Sequence, residues 1–160
     1  MSRLLIVWHS LTSGSEQMAR AAAGAADETD IILKRAAEAG PDDLLAADGY
    51  LFVCPENLAS MAGVMKDFFD RCYYPVLGRI EGRPYATMIC AGSDGEGAAR
   101  QIARIATGWR LKPVAEPLIV CTHAQTPEEI LASKTITETD LTRCRELGAT
   151  LAAGLAMGIF

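Results

Sequence analysis

Leu4-Leu5-Ile6-Val7-Trp8, running on into His9-Ser10-Leu11-Thr12-Ser13-Gly14-Ser15, is the stretch on which the fold turns. The apolar run suits a strand buried on both faces. The hydroxyl-rich segment follows without a break, and an Ala-rich helical pattern begins at Gly14. Strand, hydroxyl turn and helix start together make an anion-binding device. Backbone N–H groups at a helix N-terminus lack intrahelical partners and carry partial positive charge. Hydroxyls beside them add donors for phosphate oxygens. No Lys or Arg falls in the turn, so a site built this way holds phosphate with neutral dipoles.

Working outward, strands and helices alternate. Residues 14–26 read as a helix with Met18, Ala21, Ala22 and Ala25 on one face. Ile31-Ile32-Leu33 is a short second strand, and Pro41-Asp42-Asp43 opens a small helix or turn through Ala47. Residues 49–54 form a strongly apolar third strand. Residues 61–74 have helical spacing in Val64, Met65, Phe68, Phe69 and Cys72, with Pro75 expected to stop them. Residues 85–90 are a fourth strand and 97–108 a helix. Residues 114–121 are a fifth strand interrupted by Pro117. Thr126-Pro127-Glu128-Glu129 starts a short helix, and Thr137 or Thr139 starts a long one through about Gly154.

Five apolar strands alternating with helices imply an open parallel sheet covered on both faces. The expectation is a single domain over residues 1–160, a flavodoxin-like three-layer sandwich of the α/β class. Its five-stranded parallel sheet takes the order 2-1-3-4-5. In that order a ligand sits beyond the carboxyl ends of strands 1, 3 and 4. Three loops meet there. The first is the hydroxyl turn with Ser10, Thr12, Ser13, Gly14 and Ser15. The second is Pro55-Glu56-Asn57-Leu58-Ala59, continuing to Ser60 and Met61. The third is Ala91-Gly92-Ser93-Asp94-Gly95-Glu96-Gly97, whose glycines let backbone approach a ligand closely.

These features resemble the flavodoxin-like FMN-binding proteins, in particular the small NAD(P)H-dependent FMN or quinone reductase branch. The resemblance rests on the strand ending in His9-Ser10, the hydroxyl turn, Pro55 closing the third strand and the glycine-rich loop after the fourth. Met65-Lys66-Asp67-Phe68-Phe69-Asp70-Arg71 also matches. It implies FMN as cofactor, with its phosphate on the first loop and its isoalloxazine ring between the other two, and NADH or NADPH as co-substrate. It also implies a small-molecule electron acceptor or redox partner and a homodimer. The family turn usually reads Ser-x-Thr-Gly-x-Thr, whereas here Ser13 holds the fourth place and glycine follows at Gly14. A turn needing positive φ at that place puts Ser13 under strain, with FMN affinity lowered or the loop shaped differently.

Plainer readings stand beside these. Ser13-Gly14-Ser15-Glu16 has capping-box spacing, which explains Ser13 and Glu16 but not Ser10, Thr12 or Ser15. The third loop also reads as a turn capped by Asp94 or Ser93, with Asp94 either accepting from the flavin N3–H or solvated, and Glu96 solvated. Lys66 and Asp70 read as an i,i+4 surface pair, with Asp70 or Arg71 anchoring the helix or a neighbouring subunit. His9 and His123 have no metal-ligand spacing, Trp8 and Trp109 read as packing residues, and no catalytic side chain or metal ligand is assigned.

The net charge of −5 comes without a basic patch, so no nucleic-acid partner is expected. The five widely spaced cysteines read as buried free thiols in a reducing, cytoplasmic setting. The N-terminal run is short for a secretory leader, and the C-terminal apolar run is short for a membrane span. The tail Met157-Gly158-Ile159-Phe160 is expected to meet a second copy, unless Ile159 and Phe160 fold back on their own core.

Two other functions compete with an FMN oxidoreductase. A flavodoxin-type electron carrier usually flanks the ring with aromatics and is strongly acidic, while the second and third loops here contain no Trp, Tyr or Phe. A non-flavin phospho-ligand domain on the same fold is the other. A receiver-type regulator would want an Asp ending the third strand, where Cys54-Pro55 stands.

Overall fold

A computed structural model describes residues 1–25 and 29–160. Strand β1 (Arg3–Trp8) pairs in parallel with β2 (Asp30–Arg35) on one side and β3 (Gly49–Asn57) on the other. The end of β3 folds into an antiparallel hairpin with the two-residue β4 (Ser60–Met61). The far edge of β3 pairs in parallel with β5 (Pro84–Ala91). Beyond β5 lie two short parallel pieces, β6 (Lys112–Pro113) and β7 (Leu118–Cys121).

The order is the expected 2-1-3-4-5, but among the described residues the sheet has seven strands rather than five. The fifth is split because Pro117 has no N–H for a ladder bond, so pairing lapses between Pro113 and Leu118. The seventh is the β4 hairpin, formed where the sequence reads as a loop.

Both faces of the central strands are buried, so β1 from Leu4 to Trp8 and β3 from Tyr50 to Cys54 are apolar at every position rather than at alternate ones. Leu5 and Val7 of β1, Tyr50 and Phe52 of β3, and Ile89 of β5 face one core. Leu4, Ile6, Leu51, Val53 and Met88 face the other.

Helix α1 (Gly14–Ala23) follows the first loop, and its described part ends sooner than the expected residue 26 because Gly24 caps it; residue 26 itself lies outside the described residues. Helix α2 (Pro41–Ala46) is the expected short one. Helix α3 (Gly63–Val76) runs through Pro75, which does not stop it. In the last turn a proline forfeits one hydrogen bond, and full burial of Val76 holds the turn in place. Helix α4 (Glu96–Gly108) packs with α3 on the Phe52 face. Short α5 (Pro127–Leu131) and long α6 (Glu138–Met157) follow the last strand. On the Leu4 face α6 lies directly on α1, because a side chain at Gly148 would collide with the Ala22 backbone.

Of the tail, Phe160 does fold back: its ring lies on Gly154 against the core, and the Ile159 N–H donates to the Gly154 carbonyl at 2.9 Å. Met157 and Ile159 stay exposed. Trp8 and Trp109 are both packed inside, the latter donating from Nε1 to the Tyr73 carbonyl at 3.0 Å. Four of the five free cysteines are buried, and Cys121 is half-buried. Among the described residues, no helix is long and apolar enough to cross a membrane.

Candidate functional site

The first loop leaves β1 at His9, whose N–H is tied to the Val53 carbonyl at 3.0 Å. Burial holds the imidazole below its usual pKa, so it carries no charge into the loop at neutral pH. The next amide to find a protein acceptor is that of Gln17, which donates to the Ser13 carbonyl at 3.1 Å. Among the described residues, no backbone N–H of residues 10–16 donates to protein. The hydroxyls of Ser10 and Ser15 are buried with no hydrogen-bond partner. Buried polar groups normally find partners, so this concentration of free donors marks a place made for an acceptor.

Ser13 adopts the left-handed conformation, φ 68° and ψ −5°. The strain anticipated at the fourth place of the turn is therefore present. The capping box is not: Ser13 makes no side-chain cap, and its hydroxyl donates instead to the Lys134 carbonyl at 3.3 Å. A left-handed N-cap points Oγ away from the N3 amide. Glu16 pairs with Arg20 at 2.9 Å rather than reaching back. Gly14 allows α1 to sit against β5, since a Cβ there would lie 2.7 Å from Cys90 Sγ.

The second loop is a strained hairpin. Glu56 opposes Met61 and Asn57 opposes Ser60, leaving Leu58 and Ala59 as a two-residue turn. Both have positive φ, 53° and 63°, as a type I′ turn requires. Asn-Gly would fit without penalty; Leu-Ala costs on the order of 1–2 kcal/mol per residue. Strain of this kind persists where surrounding structure enforces it. Here the carboxylate of Glu56 accepts from the N–H groups of Gly95 and Ala98, at 2.9 and 3.0 Å. Gln101 Oε1 accepts from the Met61 N–H at 2.8 Å and the Ser60 hydroxyl at 3.0 Å.

The third loop turns through Gly95, φ 92°, against Ile119. Asp94 Oδ1 accepts from the Glu96 N–H at 3.2 Å, so the turn is capped by Asp94 as the plainer reading has it, and Glu56 adds an acceptor for the Ala98 N–H in the first turn of α4. Gly97 abuts the Ala59 carbonyl so closely that no side chain fits.

Between these loops lies a cleft of about 420 Å3. Nine of the residues singled out from sequence line it: Thr12, Pro55, Glu56, Asn57, Leu58, Ala59, Ala91, Gly92 and Ser93. Ser10, Ser13, Gly14 and Ser15 form the adjoining loop that enters the cleft at Thr12. Asp94 and Gly97 do not line it. Nor is Glu56 a free polar contact, because its carboxylate is occupied by α4.

Five lining residues escape the sequence reading: Cys90, Thr122, Ala124, Ile130 and Lys134. The rule that ligands lie beyond strand ends, applied also to the last strand, finds Thr122 and Ala124. No local signal finds Lys134. Its backbone N–H donates to the Thr12 carbonyl at 2.8 Å, and its carbonyl accepts from Gln17 Nε2 at 2.7 Å. Its ammonium donates to the carbonyls of Glu129, Ile130 and Ala132. A cation thus stands in the wall of a cleft whose loop sequence contains none.

Burial pushes the Cys90 thiol up to about 11, so at neutral pH it is a protonated, apolar part of the wall. Among the described residues, no aromatic side chain lines the cleft.

Residues 25–125 match the family of NADPH-dependent FMN reductases. The chain belongs to that family. The matched segment carries the second and third loops, and the hydroxyl loop lies just before it. A flavodoxin of Aquifex aeolicus is 31% identical over 108 residues, covering 64% of this chain and 56% of that protein. An NAD(P)H dehydrogenase (quinone) of Acidithiobacillus ferrooxidans is 35% identical over 94 residues, covering 44% and 47%. The chain spans about half the length of these curated relatives. Flavodoxin 1 from Bacillus cereus superposes with a TM-score of 0.79 at 19% identity, covering 96% of this chain and 99% of that one. The fold is flavodoxin-like.

Proposed function

We propose that this chain binds FMN in the cleft and acts as an NAD(P)H-dependent oxidoreductase toward a quinone, a flavin or a similar small acceptor. The observation that carries the reading is the first loop, with unpartnered amides over residues 10–16 and orphaned hydroxyls at Ser10 and Ser15. A phosphate monoester dianion satisfies many such donors at once. The family match and the quinone dehydrogenase relative support the same cofactor and co-substrate.

FMN, when bound, supplies the hydride and electron chemistry. The protein binds, orients and shields. Ser10, Thr12, Ser13, Gly14 and Ser15 take the phosphate. The second loop, from Pro55 to Ala59, and the third, with Ala91, Gly92 and Ser93, hold the ring region, the strained hairpin acting as one rim, while Asp94 shapes the third loop through its turn to Glu96. Glu56 and Gly97 serve this indirectly by fixing the hairpin to α4. The Lys134 backbone N–H braces the loop at Thr12, while its ammonium is bound to carbonyls at the end of α5. No side chain is assigned as acid or base.

An electron carrier is the second reading, favoured by the flavodoxin relative. The absence of aromatics from the cleft wall favours the reductase, because a ring face not covered by Trp or Tyr is open to a flat substrate. Exposed Met157 and Ile159, with Leu11 and Leu58 near the cleft, support a homodimer in a cytoplasmic setting. The whole chain is read as one domain.

The absorbance spectrum of the purified protein tests the cofactor. Flavin bands, with FMN released on denaturation, are the expected result. A colourless protein that takes up no added FMN overturns it. Anaerobic NADPH should then bleach the bound flavin, which a pure carrier would not allow at a catalytic rate. Sedimentation at micromolar concentration tests the dimer, and a monomer there rules it out.

A further inference from the structure

On the far side of the β3–β4 hairpin from the cleft lies a second, wider groove of about 700 Å3, between α3 and α4. Ala59 lines both hollows, so the hairpin is the wall between them. The groove is basic although the chain carries a net charge of −5. Lys66, Arg100 and Arg104 all face it. Lys66 is neutralised by Asp70, at 2.6 Å on its own helix. Arg100 and Arg104 are both exposed, and among the described residues neither makes an ion pair. They stand four apart on α4, the spacing at which like charges on one helix face repel each other. Glu96, one turn before Arg100, does not pair with it. Two arginines one turn apart thus line the groove, and among the described residues neither is paired with an acidic side chain. The half-buried Ile105 gives the groove an apolar patch beside them.

The arginines hold a fixed place relative to the cleft. Gly97, in the first turn of α4, touches the Ala59 carbonyl, and Gln101 binds Ser60 and Met61. At 1.5 Å per residue, Arg100 and Arg104 lie about 4.5 and 10.5 Å along the helix axis beyond that contact. A ligand that starts in the cleft and crosses the hairpin meets the two charges in succession.

We propose that this groove takes the adenosine half of NADPH, with Arg100 and Arg104 holding its 2′-phosphate while the nicotinamide lies over the cleft. The inference rests on the flavin-reductase reading and adds to it the residues that choose NADPH over NADH. A dianionic phosphate monoester matches a pair of planar guanidinium forks, whereas the 2′-hydroxyl of NADH leaves the two charges unmatched.

Calorimetric titration of FMN-saturated protein with 2′,5′-ADP and with 5′-AMP separates the possibilities, because neither probe needs turnover. The wild type should bind 2′,5′-ADP at least tenfold more tightly than 5′-AMP, less so as salt rises. The Arg100→Ala/Arg104→Ala double variant, altered only at exposed positions, should lose that preference while its melting curve is unchanged. In turnover its KM for NADPH should rise at least tenfold with kcat retained, and its KM for NADH should not move. Protein that holds FMN but binds 2′,5′-ADP no better than 5′-AMP, or equally well in the double variant, overturns the groove and leaves the flavin reading intact. Protein that takes up no FMN yet binds 2′,5′-ADP through the two arginines defeats the flavin reading while the phosphate groove stands.

Discussion

The carboxylate of Glu56 accepts the N–H of Gly95 at 2.9 Å, tying the hairpin after the third strand to the glycine loop after the next one. Its second oxygen takes the Ala98 N–H at 3.0 Å, so one side chain from β3 caps the N-terminus of α4. Two loops that are far apart in sequence become one rigid wall.

Glu56→Ala should free the hairpin and uncap α4 together. A helix cap is worth about 1 kcal/mol and a hydrogen bond to a charged group about 1.5–3, so a loss of about 2 kcal/mol is expected in urea unfolding. Glu56→Gln, which retains one acceptor, should lose about half as much. FMN affinity should fall with Glu56→Ala as the strained Leu58-Ala59 turn relaxes. An alanine variant as stable as the wild type would refute this role.

Removing the Ser10 and Ser15 hydroxyls should have opposite effects with and without cofactor. Both are buried without partners, so in apo-protein Ser10→Ala/Ser15→Ala should be neutral or stabilising by up to about 1 kcal/mol. FMN affinity should fall at least tenfold, which corresponds to roughly 1.4 kcal/mol. Fluorescence titration with FMN, paired with apo-protein melting curves, reads both signs. Unchanged FMN affinity would mean that the phosphate lies elsewhere.

Ser13→Gly relieves a left-handed φ of 68°. The gain should be about 1 kcal/mol, reduced by loss of the long 3.3 Å hydrogen bond to Lys134. FMN should bind at least as well as in the wild type. A destabilised glycine variant would show that the Ser13–Lys134 contact outweighs the strain.

Buried thiols set an alkaline limit. Burial pushes Cys72, Cys90 and Cys144 up to about 11 and Cys54 to about 12, against an ordinary 9.0. Above pH 9 the unfolded chain gives up these protons while the folded one keeps them, so stability falls as pH rises. The contribution is complete below about pH 9 and disappears as pH passes through the folded values of 11 to 12. Melting in the presence of reductant should be flat from pH 7 to 8.5 and drop steeply from 9 to 11, less steeply in Cys144→Ala. The same slope in that variant would assign the loss to other groups.

Much of this was legible along the chain. Unbroken apolar strands alternate with helices because a sheet covered on both faces has no solvent side to mark. The hydroxyl loop could be read because strand, turn and helix start are consecutive residues. Even the strain at Ser13 was visible as a glycine displaced by one position. Pro75 misled because a proline in the last turn forfeits one hydrogen bond, and burial of Val76 decides whether the helix runs on. The β4 hairpin was illegible because Leu58-Ala59 is a poor I′ turn, held only by α4 through Glu56 and Gln101.

By itself, then, the sequence determined the layered sheet and the loop rich in unpartnered donors, since each follows from hydrophobic pattern and hydrogen-bonding chemistry among near neighbours. It also determined the strand order, which follows from the handedness of parallel crossovers and the usual order of five such strands. Only the tertiary structure decided that Glu56 is a cap, that Lys134 stands beside Thr12, and that Arg100 and Arg104 face a groove behind Ala59. Those relationships join residues from separate elements, and their geometry comes from how helices pack on the sheet, which no local spacing encodes.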